Sequence, residues 1–191
     1  VAESLRFTVK DTGKIQRVIM YDRPVNNYVE TGDENNYYFI FERIFYMAIK
    51  IEKMNLNHLN ELQEILISDF DDFWSFSTLK EEVENENSSY IIGKINNEII
   101  GFAGLKKIFD QADIMNIVIK KTYRNQGIGT LLLENLILLA KDLNISTLFL
   151  EVNEQNKPAI HLYEKLGFEK LGVRKKYYNN NNGIIMKKNL K

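Results

Sequence analysis

Residues 127–143 read GIGTLLLENLILLAKDL, and their apolar side chains cover most of a helical circumference. A helix without a broad polar face has to be enclosed. The segments on either side predict strands, Ala112–Lys120 before it and Thr147–Val152 after it. The second is a near-continuous apolar run, the pattern of a strand covered on both faces. The chain is therefore built around a buried helix that joins two strands.

The remaining patterns fill in a sheet around this unit. Ala48–Met54 predicts a strand, and Leu56, Leu59, Leu62, Ile65 and Leu66 recur at helical spacing. A second short helix fits Thr78–Glu84. Tyr90–Ile95 and Glu98–Lys106 flank Asn96-Asn97, which predicts an antiparallel hairpin. Lys157–Leu166 predicts a helix with Pro158 in its first turn and Gly167 at its end. Phe168–Tyr178 and Gly183–Lys188 are closing strands joined by an asparagine-rich loop. The order is strand, two helices, three strands, helix, strand, helix, two strands. It predicts an α/β protein of the α+β kind, a central mixed sheet flanked by helices, and not a doubly wound one.

The 191 residues suffice for one domain of ordinary size with a short appendage. Residues 1–46 are set apart as an N-terminal segment of unknown role, and residues 47–191 as the main domain. Two short apolar runs in that segment, Leu5–Val9 and Ile15–Tyr21, predict a hairpin, and a polar, aromatic-bearing stretch runs from Asn26 to Tyr38. Either the segment lies upstream of a natural start at Met47 or it is a genuine extension. A net charge of −1 gives no global pointer to nucleic acid or to an anionic membrane as a partner. The chain has no cysteine, which excludes disulfides, zinc–thiolate sites and a cysteine nucleophile and suits a cytoplasmic protein. With only His58 and His161, a histidine-based metal site is not expected. No apolar run approaches the ~20 residues of a membrane span, and VAESLRFTVK has no signal-peptide pattern.

One local motif points to a ligand. Arg124-Asn125-Gln126-Gly127-Ile128-Gly129-Thr130 lies between a strand and the long helix. Its glycines admit close approach to the backbone, and amides at a helix start favour an anionic pyrophosphate. Arg124 can add a charge-assisted contact. Taken alone, such a loop is more often a glycine turn that only joins two elements. It is neither a Walker A loop nor the G-x-G-x-x-G of a dinucleotide fold.

The second half of the chain adds a resemblance. R-x-x-G-x-G, a helix, Leu150-Glu151-Val152, and then NKPAIHLYEKLGF over residues 156–168 resemble the GNAT superfamily of N-acetyltransferases in order and spacing. The likeness covers roughly residues 48–190. Within the superfamily the chain looks most like the bacterial ribosomal-protein-alanine N-acetyltransferases. Three features support this: L-E-V with a tyrosine twelve positions after the glutamate, GVRKKYY at 172–178, and Trp74-Ser75. Phe73 stands where that family usually has proline before the Trp-Ser pair.

The resemblance implies a GNAT fold, acetyl-CoA as co-substrate, no metal, and direct acetyl transfer in a ternary complex. The implied acceptor is the N-terminal amine, alanine, of a ribosomal protein; the alternative is a small amine such as a polyamine, amino acid or antibiotic. Ile117, Val118 and Ile119 match the strand that offers backbone groups to the acetyl-pantetheine arm. Asn125, Gln126, Gly127, Ile128, Gly129 and Thr130 match the pyrophosphate loop, and Asn156 a cofactor contact. Glu151 matches the general base and Tyr163 the general acid. Tyr177 and Tyr178 match residues that border the peptide slot.

Each of these residues also has a plain structural reading. Glu151 ends an apolar strand, where a carboxylate can simply face solvent, and Tyr163 is in phase with Ala159, Ile160 and Leu166 and so fits a core. Asp69–Trp74 brings three carboxylates and three aromatics together, either as a solvated loop over buried rings or as an acidic lip that attracts a positively charged N-terminus.

Overall fold

The computed structural model describes residues 6–11, 14–19, 49–63, 65–70 and 74–190. The stretch Asn26–Tyr38 and residues 71–73 lie outside the described residues. The N-terminal hairpin is present: β1 (Arg6–Asp11) and β2 (Lys14–Ile19) pair antiparallel, with Asp11 opposite Lys14.

The main domain continues with β3 (Lys50–Lys53), α1 (Leu56–Gln63), α2 (Leu66–Asp69), α3 (Phe76–Glu84), β4 (Ser88–Ile95), β5 (Glu98–Ile108) and β6 (Gln111–Ile119). A 3₁₀ turn (Lys121–Tyr123) leads to α4 (Ile128–Asp142), β7 (Thr147–Asn153), α5 (Lys157–Lys165), β8 (Glu169–Tyr178) and β9 (Asn181–Asn189). The seven-stranded sheet has the order β3-β4-β5-β6-β7-β9-β8. Among the described strands the β6–β7 pair is the parallel one, and α4 makes the crossover between its two members.

The sheet carries one core on each face. On one side α4 and α5 pack over it through Leu131, Leu132, Leu136, Leu148, Leu150 and Met186, among others. On the other, α1–α3 bury Leu59, Leu62, Leu66, Phe70 and Leu79 against Tyr90, Ile92 and Phe102. The second core does not extend to β7–β9, and the consequence is visible in β7. Leu148, Leu150 and Val152 are buried, but Thr147, Phe149, Glu151 and Asn153 are only half-buried. The expectation of a strand covered on both faces is corrected here: one face stays open, and Glu151 is on it.

Local signals explain most of the element boundaries. Asn96 and Asn97 have φ of 49° and 67°, the left-handed pair of a two-residue hairpin turn. Asn55 caps α1 by accepting from the amides of Asn57 and His58, and the buried His58 returns the favour by accepting from Asn55 N at 3.2 Å. The helical spacing from Leu56 to Leu66 belongs to two helices, not one, although Leu59, Leu62 and Leu66 enter the same core. The next helix starts at Phe76, earlier than its periodicity predicts, because Ser75 caps it with Oγ 3.2 Å from Thr78 N. β8 is an edge strand with almost every residue exposed, and Lys170, Arg174, Lys175 and Lys176 guard that edge against further pairing.

Gly104 faces Tyr90 across the β4–β5 ladder, and a Cβ there would overlap the buried Tyr90 ring. Gly104→Ala should therefore lower unfolding stability by about 1–3 kcal/mol, the usual cost of overpacking a core. Urea denaturation checks this, and a midpoint equal to the parent's would show that the ring shifts freely.

Candidate active site

The site begins where two parallel strands part. β6 and β7 pair only through Gln111–Asp113 and Thr147–Phe149. β6 runs on to Ile119 and β7 to Asn153 without further pairing to each other, so a cleft opens between them. Its β6 wall stays aligned with β5, with Ile117 opposite Ala103, Val118 opposite Phe102 and Ile119 opposite Gly101. Backbone groups on the β6 edge that faces the cleft are left for another extended partner, as at any open strand edge.

A β-bulge sets up this wall. In β6 the register passes from Ile114 to Asn116, leaving Met115 as the extra residue. Ala112 and Ile114 belong to the α4-side core before the bulge; after it Ile117 and Ile119 pack on that core, while Val118 turns to the other.

The glycine loop lies at the end of the same strand. Asn125 (φ 59°) and Gly127 (φ 79°) are both left-handed, and Gly127 occupies the N-cap position of α4 without offering a side chain to its amides. The first-turn amides of α4, on Ile128, Gly129 and Thr130, therefore face an anion-favouring helix terminus. Arg124 is exposed, with Nε 3.2 Å from Ile119 O, and Gln126 Nε2 reaches Thr122 O at 3.1 Å. Arg124 thus holds the loop to the end of β6, and Gln126 holds it to the 3₁₀ turn. A Cβ on Gly129 would meet Leu162 of α5 at 3.4 Å, so the loop also abuts α5. Asn156 caps α5, its Oδ1 accepting from Ala159 N at 3.2 Å.

Across the cleft, Glu151 lies two positions past the last β6–β7 pair. Its Oε1 is 3.0 Å from Arg174 Nη1, whereas Oε2 is shielded from solvent without a hydrogen-bond partner. Its main-chain oxygen accepts from the Tyr178 hydroxyl at 3.3 Å. Tyr163 of α5 stacks edge-on to Phe168 at 5.9 Å. Burial, and then Tyr178 beside it, push the Tyr163 phenol up to about 12. The Tyr178 phenol is raised as well, by burial first and then by Tyr177 and the Glu151 charge. Tyr178 is thus the common neighbour of Glu151 and Tyr163, which the fold brings to one place. The Asp113 carboxyl, on an exposed residue, is raised by partial desolvation and then by the Glu151 charge.

Two participants were assigned no role from sequence: Arg174, and the Tyr178 hydroxyl as a link to β7. Their signal was the spacing in GVRKKYY, but their partner is 23 and 27 residues away. Of the segment Asp69–Trp74, Asp69 is tied to Lys120 at 2.6 Å, Phe70 is core, and Trp74 packs on that core. For these three residues the packing reading fits, and residues 71–73 lie outside the described residues. His161 is exposed on α5.

The left-handed Gly127 invites a test. A valine there would be strained at φ 79° and would put a branched side chain into the anion-binding concavity. Gly127→Val should remove the rise in melting temperature that acetyl-CoA gives the parent by binding only the folded state. A parent-like rise in thermal-shift measurements would refute the loop's assignment.

The acetyltransferase (GNAT) family matches residues 59–168. The ribosomal protein bS18-alanine N-acetyltransferase of Haemophilus influenzae is 46% identical over 107 residues, covering 55% of this chain and 70% of that protein. The Escherichia coli enzyme of the same name is 35% identical over 112 residues, covering 58% of this chain and 74% of the relative. The crystal structure of the ribosomal-protein-S18-alanine N-acetyltransferase from Escherichia coli superposes with a TM-score of 0.69 at 30% identity, over 75% of this chain and 94% of that one. With the family matched over more than half of its length, the chain belongs to the acetyltransferase (GNAT) family.

Proposed function

We propose that the protein transfers acetyl from acetyl-CoA to the N-terminal α-amine of a ribosomal protein, with alanine as the acceptor residue. The observation that carries this reading is the 46% identity to an enzyme named for that reaction. The proposed catalytic unit is residues 47–191, and its acceptor places it in the cytoplasm. Acetyl-CoA supplies the acetyl group as an activated thioester.

The site's residues suit that co-substrate. The amides of Asn125–Thr130 would hold its pyrophosphate, with Arg124 near. The open edge of β6 at Ile117, Val118 and Ile119 would take its extended arm. Asn156 uses its oxygen in the helix cap, which leaves its amide N–H groups as donors.

Transfer then needs a neutral amine, a stabilised oxygen and a leaving sulfur. A free α-amine titrates at about 7.7–8.0, so one positioned carboxylate suffices to take its proton near neutral pH. Glu151 is that carboxylate in our reading. Asp113 is a second carboxylate beside Glu151 on the open face. Backbone N–H groups near Val118 and Ile119 would stabilise charge on the thioester oxygen. As the C–N bond forms and the C–S bond breaks, Tyr163 donates to the departing sulfur. Its buried phenol stays protonated at neutral pH, as a donor must. A thiol titrates near 8.5, so Tyr163 at about 12 serves chiefly as a hydrogen-bond donor to the thiolate, which takes its proton finally from water.

The deciding experiment follows release of free CoA with an alanine-first ribosomal-protein peptide and with polyamines, amino acids and aminoglycosides. The peptide should be the preferred acceptor by kcat/KM. Fast turnover of a polyamine with no peptide acetylation would assign the protein to small amines instead.

A further inference from the structure

We propose that Arg174 is a positioning residue of the acceptor site, fixing Glu151 through Oε1 so that Oε2 is the oxygen left to receive the amine proton. The proposal rests on the reading of Glu151 as the base.

The geometry is specific. The Arg174 guanidinium lies over the Tyr177 ring, 4.2 Å from its centroid, and Nη1 is 3.0 Å from Glu151 Oε1. Tyr177 is itself packed edge-on against Tyr178 at 5.0 Å, and Tyr178 is bonded to the Glu151 main chain at 3.3 Å. The arginine is thus held flat by one tyrosine while the other pins the strand that carries the carboxylate. An arginine that only screened charge at the surface would not need both restraints. Its side chain is 57% exposed, against 28% for Glu151, so the pair bridges from the rim to the interior. The inner oxygen, Oε2, has neither solvent nor a protein partner. A buried carboxylate oxygen without a donor is costly, and the cost is relieved when an N–H is delivered to it. An acceptor ammonium or amine is such a donor. A glutamate side chain otherwise has several free rotors, and a clamp on one oxygen removes the search for a productive orientation.

The test is a double-mutant cycle in the full chain with acetyl-CoA and the alanine-first peptide. Arg174→Ala should lower kcat roughly ten- to a hundredfold, the scale of a misplaced catalytic group, with the KM for acetyl-CoA little changed. Arg174→Lys should recover only part of this, because an ammonium cannot lie flat on Tyr177 and hold Oε1 together. In a Glu151→Gln background, Arg174→Ala should cost less than about threefold more, since both changes act through one carboxylate. Full, additive losses in the double variant would overturn the proposal while leaving Glu151 as the base. Parent-like activity of Glu151→Gln alone would remove the base reading, and the proposal with it. Full activity of Arg174→Ala would overturn the proposal by itself.

Discussion

Tyr163→Phe should lower kcat by about 10²–10⁴-fold while leaving acetyl-CoA affinity nearly intact. The substitution removes only the hydroxyl. The ring keeps its edge-on contact with Phe168 and its place against the α4-side core, so the fold should hold. What is lost is the donor that meets negative charge as the C–S bond breaks, an interaction made in the transition state and not in the ground state. The loss should therefore fall on kcat rather than on KM. It should persist at high pH, because hydroxide does not replace a hydrogen-bond donor. The parent itself should keep its activity through pH 9, since burial holds the Tyr163 phenol at about 12. Steady-state rates and acetyl-CoA titration across pH 6–10 provide the measurement. A loss under about tenfold would reduce Tyr163 to a packing residue.

The elements were legible where the cause is local. Asn96-Asn97 dictates its own turn, Gly127 its own left-handed cap, and the leucines of α4 their own burial. The glycine loop was legible as an anion site for the same reason, since its chemistry lies in consecutive backbone groups. The cleft was not. Nothing in Asp113 or Phe149 announces that the strands part after them; that follows from the register of β6 on β5, the bulge at Met115, and the pull of β9 on β7. The reading of β7 as covered on both faces also failed, since its burial alternates from residue to residue. An apolar run shows that side chains avoid water, but not that a second layer covers them, and here α1–α3 stop short. Arg174 shows the same limit: nothing in GVRKKYY points to Glu151, 23 residues earlier, as its partner.

Glu151→Gln should lower kcat/KM by about 10²–10⁴-fold near neutral pH, and raising the pH should return part of the loss. Glutamine keeps the shape and can still hydrogen-bond Arg174, but it cannot accept a proton. The α-amine must then arrive already neutral. With an amine pKa of about 7.7–8.0, roughly a tenth of it is neutral one unit below that value and most of it one unit above. The parent gains little from that change, because its carboxylate takes the proton within the complex. The variant gains directly, so the ratio of parent to variant should shrink between pH 7 and pH 9. The direction of this change separates the two catalytic roles: Glu151→Gln recovers with pH and Tyr163→Phe does not. Acetyl-CoA binding gives the control, since neither the Gly127 loop nor the β6 edge is touched by either change. Equal, pH-independent losses of under about tenfold in both variants would mean that the two residues only position the substrates. The proton would then have to leave by another route, with Asp113, the carboxylate beside Glu151 on the open face, as the first residue to replace.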